Sequence, residues 1–240
     1  MLVIGLAGSA AHVVVDDLGA PQLSGDDEHH LARVLRLRDG ERVSATDGLG
    51  SWRWCRWTSG GLEADGDIGA TPRDVPEVGV AFAIVKGDRL DWIVQKLTEI
   101  GVDRLIPLAA ERCIVRWDTD KAAAQTERMR RIVREAVMQS RRVWVPEVGS
   151  LTPAASLLAA PGVLRADLDG VPLDTLNTLN PSAPTVVAVG PEGGWSPTER
   201  STGGPTVTLG NTVLRAETAA IAAGVLLVDR RTQQRRVSQS

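Results

Sequence analysis

Hydrophobic and polar positions alternate with one rhythm up to residue 75 and with another beyond it. In the first part the apolar stretches are short, at 13–15, 42–45 and 51–57. Turns at Asp39-Gly40, Asp47-Gly48, Gly60-Gly61 and Asp65-Gly66 separate them. Strand-length runs bounded by Asp-Gly and Gly-Gly predict a small sheet or barrel. One helical piece interrupts it at 26–37, with Leu31, Val34 and Leu35 at helical spacing. Residues 71–77 carry Pro72 and Pro76 and read as a linker.

From residue 78 the spacing predicts strands alternating with helices. The unbroken apolar run 78–85 reads as a strand buried on both faces. Asp88 is an expected N-cap, Leu90, Ile93, Val94, Leu97 and Ile100 follow at helical spacing, and Gly101 closes the helix. Further strands are predicted at 103–108, 163–168, 185–189 and 206–209. A helix over 121–139 places Met129, Ile132, Val133, Ala136 and Val137 on one side and arginines on the other. Ser196-Pro197-Thr198-Glu199 is a capping box with proline in the first turn, a helix start. A last helix over 217–229 carries the small residues Ala219, Ala220, Ala222, Ala223 and Gly224, which would let another backbone approach closely. The basic tail 230–240 is expected to fray. This alternation implies a mostly parallel α/β sheet covered on both faces.

Composition narrows the function classes. With 43% hydrophobic and 24% charged residues in 240, the chain is an ordinary globular one. No apolar run reaches the roughly 18 residues of a membrane span. The apolar N-terminus lacks a positive leader and runs into Asp16-Asp17, so it reads as strand or tail and not as a signal peptide. Two cysteines and three histidines make neither a disulfide framework nor a zinc site, and a cytoplasmic location is expected.

The net charge of −3 excludes a nucleic-acid polycation, but it is unevenly spread. Residues 1–75 hold 7 Lys/Arg against 12 Asp/Glu, whereas residues 121–142 hold 7 against 2. A local basic face binds phosphates even where the average is acidic. An ordinary solvated helix face accounts for the same run.

Ligands of open α/β sheets sit beyond the carboxyl ends of the strands. Two glycine loops fall there, Val189-Gly190-Pro191-Glu192-Gly193-Gly194 and Leu209-Gly210-Asn211. Neither has the Walker or the G-x-G-x-x-G spacing, which leaves open a nucleoside-like ligand held by backbone amides. Leu214-Arg215-Ala216-Glu217-Thr218-Ala219 opens the last helix and adds an Arg, a Glu and a Thr. Taken singly, each loop reads more readily as a turn than as a site, and the last segment also reads as a capped helix with an Arg–Glu pair.

Together these segments carry a resemblance. Residues 189–199 and 209–219 closely resemble the family of small-subunit ribosomal RNA uracil-N3 methyltransferases (the RsmE type), in the SPOUT superfamily. His30-Leu31-Ala32-Arg33-Val34-Leu35-Arg36 is similar to its N-terminal signature. Lys86-Gly87-Asp88-Arg89-Leu90-Asp91-Trp92, Gln95-Lys96-Leu97-Thr98-Glu99-Ile100-Gly101-Val102, Pro107 and Glu111-Arg112-Cys113 match the opening of its methyltransferase domain. Glu135-Ala136-Val137-Met138-Gln139-Ser140-Arg141-Arg142 matches a further segment, with Met138 where the family usually has Glu. The stretch between Ser196 and Leu209 is short for the family. The ordered motifs cover nearly the whole chain.

The resemblance implies an α/β chain with an N-terminal PUA-like β-barrel at 1–74 and a C-terminal SPOUT α/β domain at 75–240 containing a deep trefoil knot. Knots are essentially absent among folds, so this one is implied by resemblance alone. S-adenosylmethionine would sit at about 186–224, touching Val189, Gly190, Pro191, Glu192, Gly193, Gly194, Leu209, Gly210, Asn211, Val213, Leu214 and Thr218, and would leave as S-adenosylhomocysteine. No metal is implied. The implied reaction is methyl transfer to uridine N3 in 16S rRNA near the decoding centre, in the assembled 30S subunit, by a homodimer that does not engage membranes. Uracil N3 carries a proton, so catalysis needs a base or stabilisation of the anion. Arg215 and Glu217 are the catalytic candidates, and His30, Arg33, Arg36, Arg141 and Arg142 the RNA-binding ones. Two other functions compete. A non-catalytic ribosome-assembly factor would bind RNA through the same arginines but has no need of intact glycine loops. A SPOUT ribose 2′-O-methyltransferase usually carries Asn where this chain has Glu99 and Glu217.

Overall fold

The computed structural model describes residues 6, 8–175, 179–180 and 182–238. The chain divides into two compact units. Met1–Asp74 joins with Arg134–Val145, and Val75–Val133 with Pro146–Ser240.

The first unit is a five-stranded mixed sheet. Strands β1 (Ala11–Val14), β2 (Arg42–Thr46), β3 (Ser51–Thr58) and β4 (Gly61–Ala64) lie in that order, with β5 (Gly69–Ala70) also on β3. β1 runs parallel to β2, and the other pairs are antiparallel. The turn glycines predicted three of these strands, while the two short ones lacked an apolar run to announce them. The core gathers Val13, Leu31, Val43, Cys55 and Trp57, with Met138 packed against it.

The predicted helix at 26–37 is shorter and partly of another kind. Helix α1 (Gly25–His29) starts at Ser24, whose Oγ accepts from the Asp27 N–H at 3.1 Å. It passes into a π-helical turn over His30–Val34, closed by Leu35 N donating to His30 O at 2.9 Å. The wider turn takes residues off a 3.6-residue stripe. Leu31 stays buried, but Val34 and Leu35 are 61% and 45% exposed.

The second unit is built on a seven-stranded sheet, parallel throughout. Its strands are β6 (Val78–Ala83), β7 (Arg104–Ala109), β8 (Glu147–Val148), β9 (Thr152–Pro153), β10 (Val163–Pro172), β11 (Thr185–Val189) and β12 (Thr206–Thr208). The spatial order is β12-β10-β11-β6-β7-β8, with β9 beside β7. β11 thus enters between β10 and β6, two strands laid down earlier. Every residue of β6 and β11 is buried, as continuous apolar runs require in a sheet covered on both faces.

The helices are α2 (Arg89–Ile100), α3 (Thr119–Ser140), α4 (Ala154–Leu158), α5 (Pro197–Ser201) and α6 (Ala216–Ser238). α2 buries Leu90, Ile93, Val94 and Leu97 and stops at Gly101, whose φ of 106° suits glycine. Asp88 takes the N-cap place with an already helical backbone, so its side chain makes no capping bond. Gly224 brings α6 against α2, because a Cβ there would stand 2.7 Å from the Leu97 side chain. The basic tail does not fray but stays helical to Ser238. Arg231, 3% exposed, ion-pairs with buried Asp103 and donates to Gly101 O at 3.0 Å, which holds the final turns in place. Residues 239–240 lie outside the described residues. No helix among the described residues is long and apolar enough to cross a membrane.

Candidate active site

The middle of β10, the carboxyl ends of β11 and β12 and the start of α6 surround a cleft. Its empty space, open mouth included, is about 730 Å3. The walls come from both glycine loops, from Leu214, Ala216 and Ala219 of the last segment, and from Ala166, Asp167 and Leu168 of β10, where an irregularity in its register on β12 bends the strand. Gly194, at φ 68°, has no heavy atom within 4 Å of where a Cβ would stand, so its absent side chain leaves room. Gly190 is tight instead: a Cβ would lie 2.8 Å from the Trp195 ring.

Four side chains hold the loop after β11. Trp195 is buried and its Nε1 donates to Ala166 O at 2.9 Å, tying the loop to β10. Glu199, 1% exposed, closes the capping box with Ser196 and accepts from the Glu111 N–H at 2.9 Å. The Arg112 Nη1 donates to Gly193 O at 3.2 Å. The Arg89 Nη1 lies 2.5 Å from Glu192 Oε1 and 3.6 Å from Glu217 Oε2. The hydrogen bond to Glu192, with its charge and that of Glu217, raises the Arg89 pKa above its ordinary value. Asp167 is paired with Arg200 at 2.9 Å. Burial pushes the Cys113 thiol up, which disfavours a nucleophilic thiolate.

Of the residues expected to bind the cofactor, Val189, Gly190, Pro191, Glu192, Gly194, Leu209, Gly210, Val213 and Leu214 line the cleft. Gly193, Asn211 and Thr218 adjoin it in sequence but do not form its walls. Arg215 and Glu217 alternate with the lining residues Leu214 and Ala216. Arg215 is exposed, whereas the Glu217 side chain is 14% exposed with its Oε2 buried. The β10 bend was missed in the sequence because 163–168 reads as a plain strand. Arg89 and Arg112 stood inside recognisable motifs, but their partners are remote in the chain.

The RNA-binding candidates all fall in the first unit. His30, Arg33 and Arg36 are exposed on and after the π-helical turn. Arg141 is engaged: its Nε and Nη2 donate to Ser9 Oγ and O at 3.0 and 2.9 Å. Arg142 is half-buried, and its carbonyl faces His12. Much of the basic face of α3 is neutralised by ion pairs, Arg128 with Asp91, Arg130 with Glu127 and Arg134 with Asp27.

Comparison with known proteins bears on this cleft. A family model described as an RNA methyltransferase domain matches residues 72–228, from ahead of β6 into α6. A second, an RNA methyltransferase PUA domain, matches residues 23–58. The ribosomal RNA small subunit methyltransferase E of Mycobacterium bovis is 33% identical over 226 residues, 86% of each chain. This chain belongs to the ribosomal RNA small subunit methyltransferase E family. The Bacillus subtilis member is 28% identical and covers 84% of this chain and 86% of its own. A crystal structure of the Neisseria gonorrhoeae member bound to S-adenosyl methionine superposes with a TM-score of 0.76 at 29% identity, covering 90% of this chain and 96% of that one. Among small subunit methyltransferases E, then, this chain places Met138 in an apolar core, so that position offers no catalytic carboxylate.

Proposed function

We propose that the protein transfers a methyl group from S-adenosylmethionine to N3 of a uridine in 16S rRNA of the small ribosomal subunit. The cleft between the two glycine loops carries this reading. It stands at the strand ends where α/β sheets hold nucleotide-like ligands, and a family member and a Legionella pneumophila neighbour with a TM-score of 0.78 were solved with this methyl donor bound. The residues suit such a group. The walls are largely backbone and small apolar side chains, and the space at Gly194 is clear.

Bound S-adenosylmethionine would supply an electrophilic methyl group. Val189, Gly190, Pro191, Glu192, Gly194, Leu209, Gly210, Val213 and Leu214 would hold it, with Gly193, Asn211 and Thr218 beside them in the chain. Most of the catalytic work left to the chain is alignment. Arg215, exposed beside the cleft, would stabilise the negative charge that develops on the uracil oxygens. Glu217 would accept the N3 proton. The uridine must leave its pairing partners to present N3. His30, Arg33, Arg36 and Arg142 would grip RNA phosphates from the first unit, with Arg141 shaping that surface.

The proposal extends to the architecture. Residues 1–74 would form a PUA-like barrel and residues 75–240 a SPOUT domain, with the late insertion of β11 compatible with a trefoil knot at about 186–224. The acting species would be a cytoplasmic homodimer working on the 30S subunit. No metal is required, and among the described residues no group of three potential ligands gathers.

The deciding experiment is methyl transfer from labelled S-adenosylmethionine to 30S subunits lacking the modification, followed by nucleoside analysis. Label in 3-methyluridine is the expected result. Label in a 2′-O-methyl nucleoside would overturn the chemistry while keeping the donor site. Absence of both label and donor binding would favour an RNA-binding assembly factor.

A further inference from the structure

Arg89 opens α2 and lies far in sequence from both glycine loops, yet its guanidinium meets two of the segments that form the cleft wall. Nη1 lies 2.5 Å from Glu192 in the loop after β11 and 3.6 Å from Glu217 in the first turn of α6. Nε donates to Lys86 O at 3.4 Å, a contact back to its own segment. We propose that Arg89 is a positioning residue, a brace that sets donor affinity by holding the glycine loop and the start of α6 in their binding arrangement. The inference rests on the donor site proposed above.

Three observations converge on it. Glu192 lines the cleft, and it sits in a loop whose glycines give the free backbone wide latitude. A cross-link on that residue removes freedom that a ligand would otherwise have to remove, and such preorganisation raises affinity. The Glu217 Oε2 is buried without a hydrogen-bond partner, and Arg89 is the cation set beside it. Without that cation a largely buried carboxylate would turn outward to water and shift the first turn of α6. Arginine also does here what lysine cannot. One nitrogen faces the carboxylates while another is tied to Lys86 O, which fixes the direction of the fork.

The test uses the full chain and three variants: Arg89→Ala, Arg89→Lys and Glu192→Gln. Calorimetric Kd for S-adenosylmethionine should rise about three- to tenfold in Arg89→Ala. It should be partly restored in Arg89→Lys. Glu192→Gln should raise Kd on its own but add little in the Arg89→Ala background, since both remove one interaction. KM for the donor should follow Kd across the three variants. In the absence of any ligand, the backbone amides of 190–194 and 216–219 should exchange faster in Arg89→Ala, with the thermal midpoint little changed. Unchanged exchange and unchanged Kd overturn the brace. An additive double variant overturns it as well. Failure of the wild-type chain to bind S-adenosylmethionine overturns the donor site itself, and with it the assignment of Arg89 to the donor. Should Arg89→Ala fail to fold, Glu192→Gln decides the matter with Arg89 in place.

Discussion

The Glu199 carboxylate and the Glu111 backbone N–H, 88 residues apart in sequence, meet at 2.9 Å. The second oxygen of the same carboxylate accepts from Ser196 N at 2.8 Å. One buried side chain thereby caps α5 and pins the loop after β11 to the loop after β7.

Glu199→Ala should therefore lower stability by about 2–4 kcal/mol, because it leaves buried N–H groups unpaired and removes a cap. Glu199→Gln keeps one acceptor oxygen and should lose about half as much. Urea unfolding monitored by circular dichroism measures both, and a midpoint unchanged in Glu199→Ala would refute the linkage.

His12 makes the first unit acid-sensitive. Its ring lies between Ser44 Oγ at 2.8 Å and Arg142 O at 2.9 Å, and burial lowers its pKa from 6.5 to about 4, with the Arg142 carbonyl opposing and the Arg141 charge assisting. A depressed pKa means that the unfolded chain binds the proton first. The neutral ring's contribution is complete above about pH 6.5 and is lost as pH falls towards 4. That contribution is ~3 kcal/mol. Tryptophan-fluorescence unfolding at pH 7.5 and 4.5 should show His12→Gln losing less on acidification than the wild type by about this amount. Equal losses in both would remove His12 as the cause.

Arg215 is exposed. Arg215→Ala should thus leave the unfolding midpoint within about 0.5 kcal/mol of wild type. It should also leave donor Kd near its wild-type value while kcat falls on the order of 10²-fold, the usual effect of deleting one donor to a developing anion. A loss of donor binding with unchanged kcat would move Arg215 from the substrate to the cofactor.

Arg33 and Arg141 should separate cleanly. Arg33 is exposed, so Arg33→Ala should weaken binding to a 16S rRNA fragment and lower the log–log salt slope by about 1, with stability unchanged. Arg141 is bonded twice to Ser9, so Arg141→Ala should cost about 1–3 kcal/mol of stability. If titrations across salt concentrations gave the two variants the same slope and the same stability, the distinction would fail.

Local chemistry sufficed for the features whose causes are local. The Ser196–Glu199 capping box, the stop at Gly101, the buried runs of β6 and β11 and the two glycine loops could all be read from a few neighbouring residues. The ordered motifs then pointed to the family. Local reading failed where neighbours in space were not neighbours in sequence. The apolar spacing of Leu31, Val34 and Leu35 suggested one stripe, but a π-helical turn dispersed it. The polar tail looked mobile because its partner, Asp103, lies 128 residues away. Arg89 could not be linked to Glu192 across 103 residues, nor the β10 bend to the cleft. Those meetings depend on a strand order in which β11 slips between β10 and β6. Side-chain spacing carries periodicity and caps. The order of strands in a parallel sheet comes from long-range packing, and here that order brings the cleft wall and its brace together.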